Sequence, residues 1–283
     1  MARLRERPDG RAVGVDDPAA RLGPGTAFAE ELAFAHAHAD AAAAITMRPR
    51  GGRVEVRHKE DATPVTDVDV EVERALRREV EGRFPSDAFL GEEGGRSGTG
   101  RRRWVVDPID GTRNFVDDIQ LWATLIALEV DGSAVVAVVD APALDERYEA
   151  VRDGGARLNG RPISVSDVAT LDRSFVLHSG MEEWMHGPRW DRFARLVATS
   201  QRSRGLSDFW GHVLVARGSA DVVLEHEPCG VWDWAALRLI VEEAGGLMTT
   251  LEGAEPSHLC SLVSSNGRIH DEVLATLDGR AAD

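Results

Sequence analysis

Hydrophobic positions along the chain change period from one stretch to the next, and those changes predict its elements. Between Thr26 and about Met47, Phe28, Leu32, Ala35 and Ala39 recur at helical spacing, which predicts an amphipathic helix. His36 and His38, two apart on that helix, point in different directions and read as surface or core-edge side chains. Val72, Leu76 and Val80 predict a second helix from Thr66 to Phe84, which Pro85 ends. Short apolar runs follow: AFLG at 88–91 and WVVD at 104–107 read as brief buried strands around a loop rich in glycine and arginine. ATLIALEV and AVVAVVDAP flank Asp131-Gly132, a pattern that predicts a hairpin closed by a type I′ turn. Beyond about residue 165, strands such as SFVLHSG and ADVVLE alternate with helical stretches near 188–200 and 209–217. The last long helix, WDWAALRLIVEEAGG, is closed by Gly245-Gly246. The expectation is a flexible tail over 1–25, an antiparallel-rich α+β unit over 26–165, and an α/β unit over 166–283.

Composition narrows the classes. The 283 residues are 43% hydrophobic and 29% charged, as in an ordinary globular protein. No apolar run nears the roughly 18 residues of a membrane span, and the N-terminal stretch lacks the apolar core of a secretory signal. Cys229 and Cys260 are too few for a disulfide framework and too far apart in sequence for a zinc motif, so a cytoplasmic setting is expected. The net charge of −15 argues against a nucleic-acid binder. It leaves room for a small phosphorylated substrate, provided that cations supply positive charge locally. Lys59 is the single lysine of the chain.

Chemistry enters with the carboxylates. Glu92 and Glu93 follow AFLG, Asp107 and Asp110 follow WVVD, and Asp233 opens the last long helix. Each has an ordinary explanation alone. The first pair could be a solvated loop, Asp-Pro-x-Asp-Gly is good turn chemistry, and Asp233 could cap its helix. Thr66 and Asp69 likewise have the spacing of a capping box. Together, however, acids at strand ends and helix starts can converge on one cleft. A few carboxylates plus a substrate phosphate suit Mg²⁺, and Gly111-Thr112 would offer backbone N–H groups to that phosphate.

PVTDVD at 64–69, GEE at 91–93, DPIDGT at 107–112 and WD at 232–233 before AALRLIVEEAGG resemble, in order and spacing, the inositol-monophosphatase superfamily. The resemblance covers roughly residues 26–280 and implies a layered αβαβα sandwich. It implies Mg²⁺-dependent phosphomonoester hydrolysis with two or three ions, usually in a homodimer. Glu92, Asp107 and the Ile109 carbonyl match ligands of one metal; Asp107, Asp110 and Asp233 match those of a second. Thr112, hydrogen-bonded to Asp69, would position the attacking water, and Lys59 falls near the cluster. Within the superfamily, LWATLIALE, SRGLSDFW and SSNGRIHDEVL look most like the bacterial histidinol-phosphatase branch. Asp208 and Glu225, with Arg113 beside the metal loop, then match substrate-facing positions. Asp117, Asp118, Ser207 and a longer 226–231 loop depart from that branch, which keeps another sugar, inositol or amino-alcohol phosphate open. A binding role, known among superfamily members, is the reading from a different class.

Overall fold

The computed structural model describes residues 27–48, 55–58 and 64–279. The predicted tail and Lys59 lie outside the described residues. A small hairpin, β1 (Val56–His58) with β2 (Pro64–Thr66), leads into an eight-stranded sheet of β3 (Ala88–Gly91), β4 (Gly95–Ser97), β5 (Arg102–Asp110), β6 (Ala123–Val130), β7 (Ser133–Ala141), β8 (Glu146–Val151), β9 (Gly155–Leu158) and β10 (Arg161–Pro162). Its spatial order is β10-β9-β8-β7-β6-β5-β3-β4, antiparallel except where β3 lies parallel to β5. A five-stranded sheet follows: β11 (Phe175–His178), β12 (Arg202–Gly205), β13 (Val222–Cys229), β14 (Leu247–Thr249) and β15 (Cys260–Ser265), ordered β12-β11-β13-β15-β14.

Eight α-helices are described: α1 (Ala29–Thr46), α2 (Asp67–Arg83), α3 (Thr112–Val116), α4 (Met181–Met185), α5 (Trp190–Thr199), α6 (Asp208–Ala216), α7 (Val231–Glu243) and α8 (His270–Asp278). Strand side chains alternate between faces, so each sheet needs cover on both sides. On one face of the large sheet, Trp104, Val106, Ile126, Val136 and Val138 pack against Leu32, Ala35, Val72 and Leu76 of α1 and α2. The opposite face, with Val105, Leu125, Val139 and Tyr148, packs against Phe209, Val213, Leu237 and Ile240 of α6 and α7. The small sheet covers the far side of that helix pair through Met248, Leu262, Leu177 and Val223. Its outer face holds Trp184, Phe193, Val273 and Leu277 of α4, α5 and α8. The layers therefore run αβαβα. The predicted hairpin turn has left-handed backbone at both Asp131 (φ 53°) and Gly132 (φ 84°), as type I′ requires.

Candidate active site

Local backbone features aim the carboxylates. In a regular strand, residues three apart point to opposite faces. Between Asp107 and Asp110 the β5–β6 register slips, because Asp107 faces Leu125 while Asp110 faces Ala123. Pro108 and Ile109 thus oppose Thr124 alone, and Thr124 Oγ1 holds the bulge by donating to the Pro108 carbonyl at 2.8 Å. The extra residue restores parity, and both aspartates line one cavity. Gly111 then has φ 82°, and a β-carbon there would meet the Leu121 carbonyl at 2.8 Å, so only glycine can turn the chain into α3.

Glu92 leaves the end of β3, beside β5. Asp233 sits in the first turn of α7, where its Oδ2 accepts the Gly230 N–H at 2.5 Å. The helix-capping reading of Asp233 and its membership of the cluster are therefore both true. Ligand atoms of Glu92, Asp107 and Asp233 lie within 4.8 Å of one another. Asp110 stands outside that trio. It lines the same cavity, and its Oδ2 accepts the Phe209 N–H at the start of α6. Asp69 is fully buried one layer back, and its Oδ2 accepts from Thr66 Oγ1 at 2.5 Å and Thr66 N at 2.8 Å. The expected Thr112–Asp69 contact is long, at 3.5 Å, because Thr112 Oγ1 donates instead to the Ile109 carbonyl at 2.8 Å.

The cavity measures about 260 Å³. Among the described residues, seven carboxylates line it: Glu92, Asp107, Asp110, Glu183, Asp208, Glu225 and Asp233. Among the described residues, Arg113 is the only arginine or lysine to do so. Electrostatics reflects the imbalance. Burial, then the charges of Glu92, Asp110 and Asp233, holds Asp107 well above the usual carboxylate range. Asp110 is raised likewise by burial, then by Asp208 and Asp233. Asp233 is pushed up to about 7 by burial and by Glu92, and burial pushes Asp69 up to about 6. Oxygen donors this crowded, with so little positive charge, fit a hard divalent cation that would offset their repulsion.

The same cavity also holds Asp208, Glu225 and Glu183. Asp208 faces the open cavity but is ringed by protein, and lost solvation plus the Glu183 charge raises its carboxyl while Arg113 opposes the rise. Its backbone is left-handed, at φ 51°, a conformation that aspartate tolerates better than most residues. Ser207 holds the N-cap position of α6, and Asp208 is the first residue of that helix. Glu225 is buried, and burial, Asp208 and Glu183 raise it well above the usual range. Beneath it, burial pushes His212 down to about 3, so this imidazole supplies no positive charge. Its Nδ1 pairs with Ser264 Oγ at 2.7 Å. Burial, with the charges of Glu225 and Asp233, also holds the Cys229 thiol well above its ordinary pKa, which favours the neutral thiol. Ser207, Pro228 and Cys229, where the chain departs from the histidinol-phosphatase pattern, line the cavity; Asp117 and Asp118 are exposed and do not. Glu183, Ser179 and His212 were not singled out by the sequence.

Comparisons with known proteins agree with this geometry. The model of the Inositol monophosphatase family matches residues 27–280. A histidinol-phosphatase of Streptomyces coelicolor is 42% identical, over 89% of this chain and 98% of that protein. One of Mycobacterium tuberculosis is 44% identical, over 88% and 98%. Among solved structures, a Thermotoga maritima IMPase superposes with a TM-score of 0.80 at 30% identity, covering 88% of this chain and 97% of the other. The chain belongs to the inositol monophosphatase family.

Proposed function

We propose that this phosphoric monoester hydrolase converts L-histidinol phosphate to L-histidinol and inorganic phosphate, with Mg²⁺ as its cofactor. The observation that carries the reading is one cavity lined both by Glu92, Asp107, Asp110 and Asp233 and by Asp208, Glu225 and Glu183. Glu92, Asp107, Asp110, Asp233 and the Ile109 carbonyl would hold two or three ions. Such ions supply activation of the attacking water and neutralisation of charge on the phosphoryl oxygens. The chain's own residues orient the reaction. The Thr112 hydroxyl donates to the Ile109 carbonyl at 2.8 Å; its rotation toward Asp69, ionised above pH of about 6, would leave the Thr112 oxygen aimed to accept a hydrogen bond from the attacking water. The backbone N–H groups of Gly111 and Thr112 hold a phosphoryl oxygen.

The remaining acids of the cavity bear on the substrate. Asp208, Glu225 and Glu183 suit an alcohol that carries positive charge, such as the ammonium and imidazole of histidinol. Arg113 lines the same cavity, close enough for its charge to act on Asp208. Two relatives above 40% identity are named histidinol-phosphatase, which supports the choice. We expect a cytoplasmic homodimer with no role at nucleic acid or membrane; light scattering that gives the mass of one chain would contradict the dimer. Among the described residues, no helix is long and apolar enough to cross a membrane.

Phosphate release from L-histidinol phosphate, inositol 1-phosphate and fructose 1,6-bisphosphate tests the substrate. The expected kcat/KM is highest for histidinol phosphate, above about 10⁴ M⁻¹s⁻¹. Asp208→Asn should raise its KM about tenfold or more while leaving hydrolysis of a neutral ester nearly unchanged. Preference for a neutral ester, or equal losses on both, would transfer the chain to another substrate within the same chemistry.

A further inference from the structure

Glu73 is a carboxylate of α2 that the reaction does not use, yet it is 2% exposed and lies against the loop that carries Glu92. It falls four residues after Asp69, so one helix face presents both acids. Glu73 Oε2 accepts the Glu93 N–H at 2.7 Å, and Oε1 accepts the Gly94 N–H at 2.8 Å. These are the two residues that follow Glu92. The Glu92 N–H itself reaches the Val106 carbonyl of β5 at 3.3 Å, next to Asp107. The Glu92 backbone is thus tied on one side to the strand of Asp107 and on the other to Glu73.

The loop lies directly on this carboxylate. A β-carbon on Gly91 would stand 2.2 Å from Glu73 Cδ, and one on Gly94 would stand 2.6 Å from Oε1. Glycine at both positions is what lets the backbone settle there. Arg77 completes the clamp: its Nη2 donates to Glu73 Oε1 at 2.9 Å and to the Gly95 carbonyl at 2.8 Å, and its Nη1 donates to Ser97 Oγ at 3.0 Å. Its guanidinium sits over the Phe89 ring, 4.5 Å from the centroid. A buried charge with a close partner and two backbone donors is a rigid anchor.

We propose that Glu73 is a positioning residue that sets the divalent-cation affinity of the site by fixing the Glu92 loop. The proposal rests on the metal-ligand role given above to Glu92. Partners that orient a ligand without touching the metal commonly change affinity by about 10- to 100-fold.

The test is calorimetric titration of Mg²⁺ into the metal-free full chain, with thermal midpoints measured with and without Mg²⁺. Glu73→Gln keeps the volume but leaves one oxygen for two N–H donors. Its Mg²⁺ dissociation constant should rise about tenfold or more, and saturating Mg²⁺ should restore most of kcat. Gly94→Ala pushes on the same contact from the loop side and should show the same shift, which guards against a poorly folding Glu73 variant. Lower midpoints with wild-type Mg²⁺ affinity in both variants would overturn the proposal and leave Glu73 a merely structural residue. Glu92→Gln separates the ligand role of Glu92 from the positioning role of Glu73. If it too binds Mg²⁺ normally, the ligand assignment fails; if it alone loses affinity, only the role of Glu73 fails.

Discussion

Asp233 condenses the residue-scale physics of this site. Its carboxylate caps α7 and also stands within reach of Glu92 and Asp107. Burial and Glu92 lift it from an ordinary 3.8 to about 7, so the folded chain retains a proton that the unfolded chain releases near pH 4. The stability linked to that proton is complete below about pH 4 and is lost as pH rises through about 7. Metal-free Asp233→Asn escapes the loss, since asparagine caps a helix nearly as well as aspartate. In urea denaturation with EDTA, the variant should be about 1–2 kcal/mol more stable than the wild type at pH 8 and nearly equal to it at pH 4. A variant no more stable at pH 8 would mean that the charge of Asp233 is already compensated within the chain. The four acids at turns and helix starts were legible because their neighbours are sequence-local: Pro108, Gly111, Gly91 and the apolar run of α7. Glu73 was not, because it sits beside Val72 in a helix read only for its apolar stripe, and its partners lie about 20 residues away. Glu183 belongs to a five-residue helix and reaches the cavity only through the tertiary fold.

Among the elements, β5 and α7 do most to assemble the site. The WVVD run predicted a strand ending at Asp107, since proline lacks a ladder donor and breaks central strands. The strand in fact continues to Asp110, because the bulge admits Pro108 where no donor is needed. That one feature could not be read from periodicity, and it brings both aspartates to one side. Helix α7 was readable over its whole length, including its end before Gly245, whose φ is 91°. Its burial between two sheets was not, because the apolar residues surround it only once both sheets are present. Ile240, with no exposed surface, packs in that middle layer. Ile240→Ala should cost about 2–5 kcal/mol in urea denaturation, the usual range for a truncation that leaves a buried cavity. A loss under about 1 kcal/mol would show that the two sheets collapse readily around this helix.

At the scale of the whole molecule, five layers bring acids from both sheets and from the helices between them to one cavity. Glu92, Asp107 and Asp110 come from the large sheet, Asp233 from the helix layer between, and Glu225 from the small sheet. A chain with a net charge of −15 thereby concentrates seven of its described acids in one cavity. It remains suited to an anionic substrate only if cations reverse the local field. The most direct measurement is the initial rate of phosphate release from L-histidinol phosphate after EDTA treatment, as Mg²⁺ is returned, for the wild type and Asp110→Asn. The account predicts no turnover without the metal and recovery that saturates with Mg²⁺. It further predicts a loss of at least about 100-fold in kcat for Asp110→Asn at every Mg²⁺ concentration, in a variant whose cooperative thermal transition shows that it is folded. Full activity in EDTA, or an Asp110→Asn enzyme that works at the wild-type rate, would contradict a metal-driven hydrolysis at this cavity.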